Sequence, residues 1–67
     1  MSNQLRRLRF EAGEMTQQQL AQQVGVTRQT VIAIEGGKYA PSLELAFKLA
    51  AALGRPLEQV FQYQPEG

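Results

Sequence analysis

Apolar residues in segment 16–35 recur twice at helical spacing, with a short break between the two runs. The first run is Leu20, Ala21 and Val24, and the second is Val31 and Ile34. Each run falls on one side of a helix, because residues three or four positions apart share a helical face. Gly25 stands in the break, and glycine readily adopts the left-handed conformation that ends a helix. The pattern predicts two short helices joined by a tight turn.

The starts of both helices carry capping signals. Thr16 and Gln19 have the spacing of a capping box, in which each side chain bonds the backbone amide of the other residue. Thr27 offers a hydroxyl to the free amides of the second helix. Ala21 lies where the two helices meet, and its small side chain permits a close approach. Segment 16–35 is therefore predicted to be a helix-turn-helix.

A further helix is predicted before this segment. Ser2 or Asn3 is the candidate cap, and the helix is expected to run to about Ala12. The residues expected on its inner face are Leu5, Leu8 and Ala12. Arg9 falls on the same side of the helix, where a charge needs a partner.

Two more helices are predicted after the helix-turn-helix. The fourth opens at Pro41 with Ser42 as its cap, and the fifth runs from Pro56 to about Phe61. Their apolar residues are Leu45, Ala46, Leu49, Ala50 and Leu53, followed by Leu57, Val60 and Phe61. The expected fold is an all-α, compact five-helix bundle that forms a single domain over residues 1–67.

The tail, residues 62–67, follows the last predicted helix. Side chains that favour β-structure alternate over residues 60–63. Two alternatives stay open: a short dimerisation strand that pairs with its copy in a second subunit, or a frayed end.

Composition limits the function. The chain has 67 residues, no cysteine and no histidine, so neither a disulfide nor an ordinary zinc site is expected. The sequence shows no paired carboxylates suited to a pocket, and so predicts neither an enzyme nor a cofactor. It also shows no run as long as a membrane span and no signal-peptide pattern. We expect a soluble, cytoplasmic protein with no small-molecule effector.

The net charge of +1 is unevenly distributed. Residues 1–38 carry +2, and residues 39–67 carry −1. The positive half contains the predicted helix-turn-helix, and the distribution of charge bears more on nucleic-acid binding than its total does.

The outward face of the second helix of this motif carries side chains suited to reading DNA. It contains Arg28, Gln29, Ile32 and Ala33. Arginine reads guanine edges, glutamine reads adenine edges, and an apolar group can contact a thymine methyl. These four residues are the predicted base readers, although Ile32 could instead pack against the loop near Tyr39.

The sequence resembles the Cro/repressor-type (Xre) helix-turn-helix family of DNA-binding regulators. The matching positions in the motif are Gln17, Leu20, Ala21, Val24, Gly25, Val26, Val31, Ile34 and Glu35. The match extends to Leu8, Arg9 and Gly13 before the motif, and to Gly37, Lys38, Pro41, Ser42, Leu49, Ala50, Leu53 and Gly54 after it. It covers all but about the last ten residues, and it implies the fold and double-stranded DNA as the partner.

The resemblance implies roles for three of these residues. Gln17, the first residue of its helix, is expected to hold a backbone phosphate, because a helix N-terminus attracts anions. It is also expected to brace the second helix of the motif, the recognition helix. Arg9 and Glu35 are implied to form a structural ion pair. The alternative for this pair is two separate solvated charges.

Other phosphate contacts are predicted around the motif. The candidates are Thr27, Thr30, Lys38, Tyr39 and Ser42. Tyr39 could bond a phosphate or merely cover its loop. Arg6 and Arg7 in the first helix could touch phosphates or remain solvated.

The leading functional hypothesis is a sequence-specific transcriptional regulator, a repressor, that binds an inverted-repeat operator through the major groove as a homodimer. One helix in one groove makes few base contacts, whereas a two-fold dimer reads two half-sites ~34 Å apart. The apolar residues expected at its interface are Phe10, Phe47, Phe61 and Tyr63. The competing hypothesis is a protein-binding antitoxin or adaptor that has kept this fold.

Overall fold

The computed structural model describes residues 2–62 and contains five helices in that range. They are α1 (Leu5–Glu11), α2 (Gln17–Val24), α3 (Arg28–Glu35), α4 (Leu43–Leu53) and α5 (Leu57–Val60). A two-residue strand stands at each end, β1 (Ser2–Asn3) and β2 (Phe61–Gln62). The predicted five-helix fold with a helix-turn-helix is confirmed, and the pair of short strands is added to it.

Local signals set the ends of α2 and the start of α3. The Thr16 hydroxyl accepts a hydrogen bond from the Gln19 amide at 3.0 Å, and the Gln19 side chain accepts one from the Thr16 amide at 2.8 Å. Gly25 ends α2 in the left-handed region with φ of 78°. The Thr27 hydroxyl then accepts from the Thr30 amide at 3.3 Å. The turn therefore fixes the direction in which α3 leaves α2.

The core lies where the apolar faces of the helices meet. Ala21 is fully buried, in agreement with its predicted place at the contact of α2 with α3. The other buried apolar residues are Leu5, Leu8, Leu20, Val24, Val31, Ile34, Ala46, Leu49, Ala50, Leu53, Val60 and Phe61. Because the inner face of α3 packs in this core, the outer face of α3 is exposed to solvent.

The first residues differ from the sequence-based prediction. Ser2 and Asn3 form a strand, and Gln4 occupies the cap position of α1 without a side-chain bond. Asn3 still serves the helix, because its side-chain oxygen accepts from the Leu5 amide at 3.2 Å. Its side-chain nitrogen donates to the Ile34 carbonyl at 2.9 Å. Ala12, predicted on the inner face, is exposed because α1 ends at Glu11.

The C-terminal strand exists, and its partner in this structure is the N-terminal strand of the same chain. In the antiparallel pair, Ser2 lies opposite Gln62 and Asn3 lies opposite Phe61, so the strand pairs within its own chain. Phe61 is 9% exposed and belongs to the core, which removes it from the apolar surface open to a second subunit. Helix α5 begins one residue after Pro56 and ends at Val60. Tyr63 and the rest of the tail lie outside the described residues.

Candidate nucleic-acid interface

Helix α3 presents two different faces. Val31 and Ile34 are 0% and 1% exposed and anchor the helix in the core. Arg28 and Gln29, in its first turn, are exposed, and Ile32 is 38% exposed in the next turn. Ala33 is half-buried beside them. The side chains proposed as base readers therefore occupy the solvent side of a helix whose other side is held rigidly.

A buried ion pair fixes the far end of α3. Arg9 Nε lies 2.6 Å from Glu35 Oε2, and Arg9 Nη2 donates to Glu35 Oε1 at 3.1 Å. The Arg9 and Glu35 side chains are 11% and 10% exposed. Arg9 Nη1 also donates to the Met15 carbonyl at 2.8 Å. The two-point contact of guanidinium and carboxylate ties α1 to α3 with a defined geometry.

Gln17 joins this pair from the first position of α2. Its side-chain nitrogen donates to Glu35 Oε1 at 3.2 Å. Glu35 thus holds Arg9 of α1 and Gln17 of α2 at the same time. The bond restricts the rotamers of a half-buried side chain at a helix N-terminus, where the backbone amides favour an anion. The bond ties the start of α2 to the end of α3.

The remaining phosphate candidates differ in how free they are. The Thr27 and Thr30 hydroxyls lie 3.1 Å apart and bond each other. The Ser42 hydroxyl accepts from the Leu45 amide at 3.2 Å, so it is used as the cap of α4. Lys38 is exposed and Tyr39 is 51% exposed, both just past the end of α3. The hydroxyl oxygens of the caps serve the fold, while Lys38 and Tyr39 are open to a partner.

Ion pairing separates the positive charges into two groups. Besides Arg9, three cations contact carboxylates: Arg7 with Glu11 at 3.7 Å, Arg55 with Glu11 at 2.9 Å, and Lys48 with Glu44 at 3.6 Å. Arg6, Arg28 and Lys38 contact no carboxylate within residues 2–62. These three are the cations left for an outside anion.

Arg6 is the site residue that the sequence did not single out. A signal was nevertheless present, because Arg7 has Glu11 four positions later whereas Arg6 has Phe10 there. Oppositely charged residues four apart on a helix attract, and this spacing predicts which arginine is neutralised. The structure also brings Arg6 together with Gln17 and Arg28 along one groove.

Comparison with known proteins agrees with this geometry. The helix-turn-helix family model matches residues 5–60. A helix-turn-helix transcriptional regulator of Methanocaldococcus jannaschii is 54% identical over 52 residues, which cover 78% of this chain and 79% of that protein. One from Methanothermobacter thermautotrophicus is 50% identical, covering 100% of this chain and 97% of that protein. The crystal structure of the restriction-modification controller protein C.AhdI from Aeromonas hydrophila superposes with a TM-score of 0.77 at 37% identity, covering 85% of this chain and 81% of that one.

Fold, site and relatives together define a DNA-binding module of the helix-turn-helix class, a class of regulators and not of enzymes. The chain belongs to the Cro/repressor-type (Xre) helix-turn-helix family of transcriptional regulators. Within residues 2–62, none of the helices has the length and apolar character needed to cross a bilayer.

Proposed function

We propose that the chain is a repressor that recognises an inverted-repeat operator in double-stranded DNA as a homodimer. The observation that carries the proposal is the first turn of α3, where Arg28 and Gln29 are exposed and Arg28 is unpaired among residues 2–62. The N-terminal part of a recognition helix is the part that meets base edges in the major groove. Repression needs only occupation of the operator, for which a domain of this size is sufficient.

The proposed DNA contacts are of two kinds: contacts to base edges, which read the sequence, and contacts to phosphates, which position the protein. Arg28 suits the O6 and N7 acceptors of guanine, and Gln29 suits the donor and acceptor edge of adenine. Ile32 and Ala33 are proposed to lie against thymine methyls or sugars. The phosphate contacts proposed are Gln17, Thr27, Thr30, Lys38, Tyr39 and Ser42. Of these, Gln17 is the best supported, because its bond to Glu35 presets its orientation.

Replacement of Gln29 by alanine tests the reading role. We expect Gln29→Ala to lose about 1–3 kcal/mol of discrimination at one base pair in each half-site, because a bidentate glutamine–adenine contact is removed. The measurement is binding to duplexes first selected from a random library, then varied one base pair at a time. Gln22→Ala is the matched control, since Gln22 is an exposed glutamine on α2. If Gln29→Ala keeps the base preference of the wild type, α3 does not read the bases as proposed.

The proposed subunit interface lies on α4. Leu43 and Phe47, one helical turn apart, are 67% and 55% exposed, and they form an apolar stripe on the solvent side of this helix. A stripe of this kind on one helix can meet its own copy across a two-fold axis. Phe10 is exposed to a similar extent, 57%, but lies on α1 beside Gln17 and Arg28. We therefore assign Phe47 to the interface and leave Phe10 on the DNA side.

The two exposed phenylalanines give a matched test of this interface. We expect Phe47→Ser to lower the native mass from that of a dimer toward that of a monomer, because a polar side chain weakens an apolar contact. Phe10→Ser should leave the mass unchanged. Sedimentation equilibrium over a range of protein concentrations measures both variants. A wild-type monomer at all concentrations, or equal behaviour of the two variants, would contradict the assignment of α4.

A further inference from the structure

An open groove of about 600 Å³ runs between α1 and the N-terminal ends of α2 and α3, and we call it the α1 groove. The residues that line it are Arg6, Arg9, Phe10, Glu14, Met15, Thr16, Gln17, Gln18, Arg28 and Glu35. The groove therefore brings Arg28, proposed to read a base, and Gln17, proposed to contact a phosphate, next to α1. Helix α1 lies outside the helix-turn-helix.

The charges in the α1 groove leave it receptive to an anion. Arg9 and Glu35 neutralise each other at 2.6 Å. The charges of Arg6 and Arg28 are not compensated by any carboxylate within the described part of the chain. The remaining acid along the groove is Glu14, which is exposed. The positive end of the α2 dipole adds to the two free guanidinium groups.

We infer that the α1 groove holds a backbone phosphate of the bound DNA, with Arg6 as its charged contact. This inference rests on the proposed function. A strand whose base is read by Arg28 must carry its sugar–phosphate backbone past the groove that Arg28 lines. Gln17 then meets the backbone at the start of α2, and Arg6 meets it from α1. The exposed ring of Phe10, one turn from Arg6, supplies an apolar wall for a sugar.

Arg7 is the natural reference for Arg6. The two are adjacent arginines of α1, both exposed, and both were named as candidates for phosphate contact from the sequence. Arg7 lies 3.7 Å from Glu11, which also binds Arg55 at 2.9 Å. Arg7 is absent from the lining of the α1 groove, whereas Arg6 is part of it. The inference therefore assigns different roles to neighbouring residues of identical chemistry.

The test compares Arg6→Ala with Arg7→Ala by titration of each full-length variant against two duplexes. One duplex is the operator selected with the wild type, and the other has a scrambled sequence of the same length. We expect Arg6→Ala to raise Kd about tenfold for each subunit bound, on both duplexes, because each subunit loses a charge-assisted hydrogen bond. The slope of log K against log salt concentration should become less steep by about 0.9 per subunit. Arg7→Ala should match the wild type.

Two further variants sharpen the result. Arg6→Lys keeps the charge and should keep the wild-type salt slope. Glu14→Gln removes the carboxylate along the groove and should tighten binding to both duplexes. Circular dichroism and thermal unfolding verify that each variant is folded, which is expected because both side chains are exposed.

The outcomes separate the inference from the function on which it rests. Equal Kd and salt slope for Arg6→Ala and the wild type would overturn the phosphate contact while leaving the proposed function intact. A loss confined to the operator would also overturn it, because a phosphate contact is blind to sequence. If the wild type itself shows no salt-dependent binding to either duplex, the proposed function fails and the inference fails with it.

Discussion

Replacing Glu35 by alanine is expected to lower the free energy of unfolding by about 3–5 kcal/mol. The variant leaves the guanidinium of Arg9, 11% exposed, without its carboxylate partner. An uncompensated charge in a poorly solvated position costs far more than an exposed ion pair contributes. Gln17 loses its bond at 3.2 Å in the same step. Urea unfolding followed by circular dichroism measures the change.

Two controls separate burial from simple loss of charge. Glu44→Ala removes a carboxylate that is 81% exposed in its pair with Lys48, and it should change stability by less than about 0.5 kcal/mol. The double variant Arg9→Met/Glu35→Leu replaces both charges by apolar groups and should recover most of the lost stability. A loss below about 1 kcal/mol in Glu35→Ala would show that the pair is solvated in solution.

The same double variant tests whether Glu35 contributes to the proposed phosphate contact of Gln17. It restores packing but gives Gln17 no acceptor, so the Gln17 side chain gains rotational freedom. Binding to DNA should then weaken although most of the stability is kept. Ordering a long polar side chain on binding costs free energy. In the wild type, the bond to Glu35 already orders the Gln17 side chain before DNA binds. If both results are obtained, the ion pair contributes to the stability of the fold and also to the proposed phosphate contact.

Signals confined to a few residues made the helix-turn-helix predictable. The capping box of Thr16 and Gln19, the left-handed Gly25 and the cap at Thr27 each act within one turn of chain. Because these bonds are local, their outcome depends little on the rest of the fold. The bounds of α2 and α3 were therefore predicted correctly, and so was the outward side of α3.

Contacts between distant parts of the chain were not predictable in this way. Ser2 and Asn3 have the chemistry of helix caps, and nothing near them in the sequence signals a strand. Their partners are Gln62 and Phe61 at the opposite end of the chain. Pairing across that distance depends on how the bundle brings the two ends together, which periodicity does not report. Phe61, named both among the apolar residues of the fifth helix and at the expected interface, lies in the core.

The candidate site was likewise predictable only where local spacing determines it. The residue types on α3 were readable, because a helical wheel assigns faces from spacing alone. Gln17 was expected to hold a phosphate and to brace the recognition helix, but its hydrogen bond to Glu35 became known only from the structure. The spacing of Arg7 and Glu11 favours Arg7 as the paired arginine, but the position of Arg6 in the groove required the structure.

Leu49→Ala is expected to have the second large effect, a loss of about 2–5 kcal/mol in the free energy of unfolding. Leu49 is 0% exposed near the middle of α4, so truncation leaves a cavity among side chains that cannot fully collapse. A domain of this size is stable by only about 3–10 kcal/mol, and the variant should be partly unfolded at 37 °C. Differential scanning calorimetry gives the midpoint and enthalpy.

Leu43→Ala is the matched control on the same helix. Leu43 is 67% exposed, so its truncation should change the unfolding of the isolated chain by less than about 0.5 kcal/mol. If the proposed dimer forms at higher protein concentrations, the same variant should lower the midpoint there, because a subunit that binds only the folded state stabilises it by mass action. Selected operator should raise the midpoint of Leu49→Ala for the same reason. If Leu43→Ala were as costly as Leu49→Ala in the dilute chain, α4 would face the core on both sides, leaving no apolar stripe for a second subunit.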